Sequence, residues 1–278
     1  MDSITVRIPA TSANLGPGFD CLGVALALYS RVTVRRGLPG RPDRMVDEAA
    51  RAFFDTSPAA PFPFAFEIHG DIPRSRGLGS SVAVRLGLLH GLNALAGDVL
   101  GADQLYRICV RLEGHPDNAA PAAFGGFAAA RPDGLYFRCD VAPELRFVVL
   151  VPAGEVDTDF SRVQLPRDLA RADAVVNTAN TALITAAFAT RQYELLRGSM
   201  SDRLHQPYRA RANPHLWPAI EAGTAAGALD GYLSGSGSAV ACLTTGDPTP
   251  VAAALQSVLP EARVHVLAAD NGGVLLEA

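Results

Sequence analysis

A short segment rich in glycine and serine, residues 77–81, has the composition of a site that binds phosphate through the peptide backbone. Its glycines let the main chain approach an anion closely, and its serines stand where an apolar helix is predicted to begin, so that first-turn amides and the helix dipole favour negative charge. Arg74 and Arg76 precede it. An ordinary glycine loop with serine caps is the alternative. Val82 occupies the third glycine position of a dinucleotide-binding fingerprint, which excludes that motif.

A second polar cluster lies at residues 113–118, where another predicted helix ends. The Glu113 carboxylate is a suitable ligand for Mg²⁺, and Asp117 and Asn118 could position a hydroxyl group. Glycine, proline and asparagine are also typical of a helix C-cap followed by a turn. The residues alone leave a site and a structural turn equally open.

Two further segments join predicted strands. Residues 9–20 carry Asn14 and Asp20, which could hold a small polar substrate, because a carboxylate suits an ammonium group. Residues 234–238 alternate serine and glycine, and a simple glycine-rich hairpin is the favoured interpretation there.

Composition excludes several function classes. The 24 basic residues are all arginine, so no mechanism that needs a P-loop lysine, a kinase strand lysine or a Schiff-base lysine is available. A net charge of −4 provides no basic surface for nucleic acid. Cys21, Cys109, Cys139 and Cys242 are widely separated, which predicts free thiols rather than a zinc site or disulfides. No apolar run is long enough to span a membrane, and we expect a cytoplasmic protein.

The elements that must position these residues follow from hydrophobic periodicity. The broad apolar face of residues 82–96 predicts a buried central helix. A change of character near residue 145 predicts two domains, 1–145 and 146–278, and the order of elements in the second indicates the split β-α-β-β-α-β arrangement with extra helical material. The predicted strands are residues 4–8, 24–34, 64–68, 146–151, 231–233, 239–244 and 263–267, and the predicted helices are residues 45–54, 82–96, 102–112, 173–189, 217–226 and 251–258.

Taken together, the motifs resemble the GHMP kinase family. Residues 73–81 match the family's lysine-free glycine-serine loop, whereas residues 9–20, 113–121 and 204–209 look like the homoserine kinase subfamily. The resemblance implies an α+β, two-domain fold: an N-terminal mixed α/β domain that carries the ATP-phosphate loop, followed by a ferredoxin-like domain.

The implied activity is transfer of the ATP γ-phosphoryl group to the side-chain hydroxyl of L-homoserine, giving O-phospho-L-homoserine for threonine biosynthesis. By resemblance, Mg²⁺ is held by Ser80 or Ser81 and Glu113. The resemblance assigns nine residues to the nucleotide phosphates: Pro73, Arg74, Ser75, Arg76, Gly77, Leu78, Gly79, Ser80 and Ser81.

For the acceptor, the resemblance implies that Asn14, Asp20 and Asn118 contact the amino and hydroxyl ends of homoserine. Thr158, Arg162 and Arg209 would clamp its carboxylate, a pairing that suits two guanidinium groups. Asn118 is expected to orient the hydroxyl, and Glu113 is expected to be the second catalytic residue. No general base is assigned.

Some expectations stay open at this point. Arg44 stands near the position where relatives carry an asparagine beside the adenine pocket. A GHMP kinase for another small alcohol, mevalonate-like or a sugar, and a catalytically silent metabolite-binding member are the alternatives; the arginine pair argues against the first and the retained metal ligands against the second. The expected partner is a small molecule, with no nucleic acid or membrane, and the chain is a possible homodimer.

Overall fold

Alternating apolar residues at the N-terminus form a long antiparallel pair of strands that organises the first sheet. The computed structural model describes residues 2–37, 43–154 and 162–277 of the chain. Strand β1 (Ser3–Ala13) and strand β2 (Leu22–Arg36) pair along their whole length, with a register shift at Pro9. Proline has no N–H and cannot donate a ladder hydrogen bond, so within a sheet it is tolerated where the regular pairing is interrupted, as it is here.

Four more strands complete this sheet, and every pairing in it is antiparallel. The order is β10-β1-β2-β4-β5, and β3 pairs with the C-terminal half of β2. Their bounds are β3 (Phe64–Gly70), β4 (Phe127–Ala130), β5 (Tyr136–Cys139) and β10 (Leu275–Glu277).

Helices α1 (Arg44–Thr56), α2 (Ser80–Leu95), α3 (Ala102–Glu113) and α4 (Ala119–Phe124) belong to the same half of the molecule. Ten residues of α2 are buried, on all sides of the helix, which confirms the predicted central helix. A helix that is apolar all round is stable only when other elements enclose it. The beginning of α2 is therefore held firmly in place.

The second sheet contains β6 (Arg146–Val151), β7 (Asp230–Leu233), β8 (Val240–Thr244) and β9 (Arg263–Leu267) in the order β7-β8-β6-β9. This is the ferredoxin-like order, as predicted. The helices that pack on its outer face are α7 (Leu216–Ala225) and α8 (Thr249–Val258). Helices α5 (Arg171–Thr190) and α6 (Gln206–Arg209) and the 3₁₀ turn Tyr193–Leu196 form the additional helical material between β6 and β7.

The two sheets share one hydrophobic core. Phe147 and Leu243 point from the second sheet into the same cluster as Leu86 of α2 and Phe127 of β4. Phe127 stacks on Phe188 of α5, with ring centroids 4.3 Å apart. The last strand, β10, returns from the second sheet to pair with β1. The two halves of the chain therefore pack as one body, and the division between them at residue 145 stays a proposal.

The periodicity missed the shortest elements: α4, α6, β4, β5 and β10. It also placed residues 9–13 in a connecting loop, whereas β1 continues to Ala13. The predicted residue Thr158 lies outside the described residues. Among the helices that the structure describes, we find none with the length and apolar character needed to cross a membrane.

We predict that Gly23→Ala lowers the free energy of unfolding by about 2–4 kcal/mol, because the added methyl group would collide with an enclosed backbone that cannot move away. A Cβ at Gly23 in β2 would lie 1.8 Å from the carbonyl oxygen of Asp117. Urea unfolding checks this value. The control is Gly246→Ala, whose Cβ meets no atom closer than 3.7 Å; it should change stability by less than about 1 kcal/mol. Equal effects would contradict the packing argument.

Candidate active site

A cavity of about 1000 Å³ brings together most of the residues singled out in the sequence. Its walls come from the glycine loop, the first turn of α2, the segment after α3, the loop after β1 and the turn between β7 and β8. The predicted site residues among its lining are Asn14, Asp20, Arg74, Ser75, Gly77, Gly79, Ser80, Ser81, Glu113, Asn118, Arg162 and Arg209.

The glycine loop is shaped by contacts with two other segments. A Cβ on Gly79 would lie 2.0 Å from the Thr11 hydroxyl of β1, and a Cβ on Gly77 would lie 2.0 Å from the Ser234 carbonyl of the second sheet. Gly77 and Gly79 have positive φ angles, 75° and 72°. The hydroxyl of Ser234 also donates to the Gly77 carbonyl at 2.6 Å. The loop therefore needs glycine for close approach and for its left-handed backbone.

Three residues of the predicted phosphate loop, Pro73, Arg76 and Leu78, are not part of the described cavity lining. Leu78 is buried in the core. Arg76 donates from Nε to the Pro152 carbonyl at 2.9 Å and from Nη2 to the Ala153 carbonyl. Its guanidinium thus links the loop to the end of β6, and its assignment to the nucleotide phosphates stays a prediction.

The carboxylate of Glu113 lies beside the first turn of α2. Ser81 Oγ donates to Glu113 Oε2 at 3.0 Å, and Arg85 Nη1 donates to Glu113 Oε1. A hydroxyl and a carboxylate that converge in this way are the hard oxygen donors that Mg²⁺ prefers, so the donor set fits that ion. Sequence reasoning missed Arg85, although its spacing of four residues from Ser81 on one helix places both on the same face.

The polar cluster after α3 is both a helix cap and part of the cavity. Gly114 ends α3 with φ of 80°, and its amide bonds to the Val110 carbonyl at 2.9 Å. Thr11 Oγ1 donates to Asn118 Oδ1 at 2.7 Å. Because Oδ1 already accepts this bond, the NH₂ group is the part of the Asn118 side chain that can donate a hydrogen bond to a substrate oxygen.

His115 and Asp117 also line the cavity. The sequence indicated that Asp117 could position a hydroxyl group, whereas it gave His115 no role. His115 Nδ1 and Asp117 Oδ1 are 2.5 Å apart. Burial would lower the pKa of His115, but the hydrogen bond and charge of Asp117, together with the charge of Asp20, outweigh it and raise the pKa. One ligand atom each of Asp20, His115 and Asp117 lies within 4.8 Å of the others.

Asp20 and Arg162 form a bidentate ion pair with N–O distances of 2.7 and 2.9 Å. Asn14 is buried next to them: its Oδ1 accepts from the Asp20 amide at 3.0 Å and its Nδ2 donates to the Gly235 carbonyl at 2.8 Å. The pair joins two residues that the family resemblance assigned to opposite ends of the acceptor.

Arg209 is 2% exposed, yet its guanidinium is only partly satisfied. Nη1 donates to the Gly235 carbonyl at 3.0 Å, and Nε is buried with no hydrogen-bond partner among the described residues. Burial, followed by the charge of Arg162, lowers the pKa of Arg209 from its ordinary value to about 10, so the group stays cationic at neutral pH. A buried donor without a partner is costly, so the position of this guanidinium is imposed by the surrounding fold.

Phe19 and His205 surround the two arginines and were missed by sequence reasoning. The guanidinium carbons of Arg162 and Arg209 lie 5.4 and 5.2 Å from the centroid of the Phe19 ring. His205 is fully buried, with Nε2 2.7 Å from the Gly16 carbonyl, and so donates to it. An aromatic ring between two arginines has no local sequence pattern here, because the three residues come from distant segments.

Comparisons with known proteins agree with this geometry. The sequence matches the family descriptions "GHMP kinases N terminal domain" over residues 44–126 and "GHMP kinases C terminal" over residues 184–261. The chain belongs to the GHMP kinase family. The resemblance drawn from the motifs is thereby confirmed, as is the two-domain α+β fold.

Relatives within the family are similar over nearly the whole chain. A homoserine kinase of Thermus thermophilus is 40% identical across 98% of both chains. Homoserine kinase of Moorella thermoacetica is 37% identical across 98% of this chain and 99% of its own. These relatives and the two family matches identify an ATP-dependent kinase.

Solved structures show the same fold. Homoserine kinase from Cytophaga hutchinsonii superposes with a TM-score of 0.91 at 26% identity, covering 100% of this chain and 98% of that one. A mevalonate kinase gives a TM-score of 0.74 at 13% identity, covering 96% of this chain and 99% of that chain. The second likeness concerns the fold alone.

We predict that the protein loses stability on acidification because His205 is buried. Burial lowers its pKa from 6.5 to about 4, against the opposing charge of Asp202. The unfolded chain therefore takes up a proton in this interval and the folded chain does not, so unfolding is favoured as pH falls from 6.5 towards 4. Urea unfolding of His205→Gln at a series of pH values should give a shallower slope. The exposed-residue control, His69→Gln, should keep the wild-type slope; a parallel loss in both would contradict the assignment.

Proposed function

We propose that this GHMP kinase transfers the γ-phosphoryl group of ATP to the side-chain hydroxyl of L-homoserine. The observation that carries the proposal is the buried, partly unsatisfied guanidinium of Arg209, in a cavity whose other wall is the glycine loop. A cavity that binds a carboxylate at one end and phosphate at the other suits an amino-acid substrate bound beside a nucleotide.

The carboxylate end is built from cations that the fold has already positioned. Arg209 lines the cavity, and the Gly235 carbonyl holds its Nη1 at 3.0 Å. Arg162 lies 5.4 Å from the centroid of the Phe19 ring and pairs with Asp20, a partner that it would exchange for the substrate carboxylate. Two guanidiniums on one carboxylate supply charge-assisted hydrogen bonds that a neutral alcohol such as a sugar would not use. This supports homoserine over a sugar, whereas mevalonate, which also carries a carboxylate, is distinguished by its lack of an ammonium group.

The opposite charge at the amino end is supplied by Asp20 and Asp117. Both carboxylates line the cavity, and Asp117 Oδ1 is shared between His115 and the Asn118 amide. An ammonium group donates three hydrogen bonds and suits a cluster of acceptors. We assign Asn14 to this end as the side chain that fixes the Asp20 backbone.

The phosphate end uses backbone amides rather than a lysine. The first turn of α2 and the glycine loop would hold the nucleotide phosphates, with Ser80, Ser81 and Glu113 around Mg²⁺. When bound, Mg²⁺ would neutralise charge on the phosphate oxygens. Asn118 would donate its NH₂ to the acceptor hydroxyl and aim a lone pair at the γ-phosphorus.

In the transfer itself, a bond forms between the hydroxyl oxygen and the γ-phosphorus, the bond to the ADP oxygen breaks, and the hydroxyl proton is released to solvent water. The transition state of phosphoryl transfer is loose, so positioning and charge neutralisation supply most of the rate enhancement. A strong general base is not required, and we assign none.

A coupled ADP-release assay with L-homoserine, mevalonate and galactose in parallel tests the acceptor. We expect turnover with homoserine to exceed the other two by roughly a thousandfold or more, since a site whose buried charges remain unpaired strongly rejects an analogue. Comparable turnover with mevalonate would replace the amino-acid assignment.

Arg209→Ala should raise KM for homoserine at least about tenfold, because a hydrogen bond to a charged group is lost, whereas KM for ATP should stay within about twofold. Steady-state kinetics with each substrate varied give both values. The matched control is the exposed Arg211→Ala, which should behave as wild type. An equal loss of affinity for both substrates would remove Arg209 from the carboxylate site.

Glu113→Gln should lower kcat roughly a hundredfold or more, the scale seen when one electrostatic contact to the transition state is removed. It should also shift the Mg²⁺ dependence of the rate to higher concentration. Titration of Mg²⁺ at fixed ATP measures the shift, and an unchanged titration would exclude Glu113 from the metal ligands.

A further inference from the structure

The carboxylate proposed to bind Mg²⁺ is already engaged by a cation of the protein itself. Arg85 Nη1 donates to Glu113 Oε1, and the two side chains are 13% and 6% exposed. Ser81 Oγ holds the other carboxylate oxygen at 3.0 Å. Both oxygens of Glu113 therefore have partners within the chain, and one of those partners is positively charged.

Arg85 is an incompletely satisfied member of this pair. Its Nε is buried and has no hydrogen-bond partner in the described part of the chain. An unpaired buried donor offsets part of what the ion pair contributes, so the guanidinium can be displaced at lower cost than a fully bonded one. Arg85 also lines the cavity, which leaves it room to move.

A second carboxylate lies within electrostatic range of Arg85. Glu48 of α1 has a lowered pKa, first because of its hydrogen bond from Arg44 and in smaller part because of the charge of Arg85. A guanidinium released from Glu113 would thus remain close to negative charge, either at Glu48 or at the phosphates of a bound nucleotide.

We propose that Arg85 is a built-in counter-ion of the metal site: it neutralises buried Glu113 in the metal-free enzyme and competes with the divalent cation for that carboxylate. The two positive charges compete for one carboxylate, because a guanidinium in contact with Oε1 would repel a cation placed there. The proposal rests on the proposed function in one respect, that Glu113 is a metal ligand.

The first test measures cation binding without turnover. Mn²⁺ is titrated by electron paramagnetic resonance into each protein saturated with a non-hydrolysable ATP analogue. Arg85→Met should lower the Mn²⁺ midpoint roughly tenfold, the scale of one hydrogen bond to a charged group. Arg85→Lys, which keeps the charge, should stay closer to wild type. The control Arg111→Met removes an exposed arginine from the same helix as Glu113 and should leave the midpoint unchanged.

The second test measures stability in EDTA. Arg85→Met should melt at a lower temperature than wild type because it leaves a buried, unpaired carboxylate. The double variant Arg85→Met/Glu113→Gln should recover part of the loss, and Mg²⁺ with the analogue should raise the melting temperature of Arg85→Met more than that of wild type.

Two results would overturn the counter-ion role. One is a Mn²⁺ midpoint for Arg85→Met that equals or exceeds the wild-type value; a higher midpoint together with weaker analogue binding would make Arg85 a phosphate ligand instead. The other is additivity of the two substitutions in EDTA. If Glu113→Gln and wild type titrate identically with Mn²⁺, the metal assignment of the proposed function fails, and that failure is recognised separately from any effect of Arg85.

Discussion

A phosphate can be held by peptide amides only where the main chain itself reaches the anion, and this requirement governs the architecture of the site. The glycine loop passes between β1 and the turn of the second sheet so closely that a Cβ on Gly77 or Gly79 would lie 2.0 Å from its neighbour. The buried helix α2 carries the amides that follow. Because the loop touches both sheets, the proposed phosphate site depends on both halves of the chain being packed together.

The absence of lysine gives the arginines distinct tasks. Arginine has a planar, multidentate head group that has to be placed by several partners, whereas lysine acts as a point charge. Arg76 bonds carbonyls at the end of β6, Arg162 pairs with Asp20, Arg209 is fixed by Gly235, and Arg85 neutralises Glu113. Only the partners tell these arginines apart, and those partners are distant in sequence. Their charges balance the carboxylates of the cavity without any group able to form a Schiff base.

Strongly apolar segments were predicted well because their composition alone marks them as buried. The central helix α2 and strand β6 are examples: one is apolar all round, and the other is a continuous run of Phe, Val and Leu. Strand β4 escaped prediction because its four residues, one phenylalanine and three alanines, carry no alternation. Strand β10 has only three residues, and its pairing with β1 depends on the chain returning from the second sheet. Such elements form because a partner edge is available, not because of their own pattern.

The sequence by itself determined the types of group in the site: a glycine-serine loop before a buried helix, a carboxylate and an amide after the next helix, and arginines with no lysine. Those features are local, and local composition expresses them. Only the tertiary structure decided which groups meet. It brought Arg85 to Glu113, Asp20 to Arg162 and Phe19 to two guanidiniums. Pairings of this kind depend on distances across the packed core, and a linear pattern contains no information about distances between segments that only folding brings together.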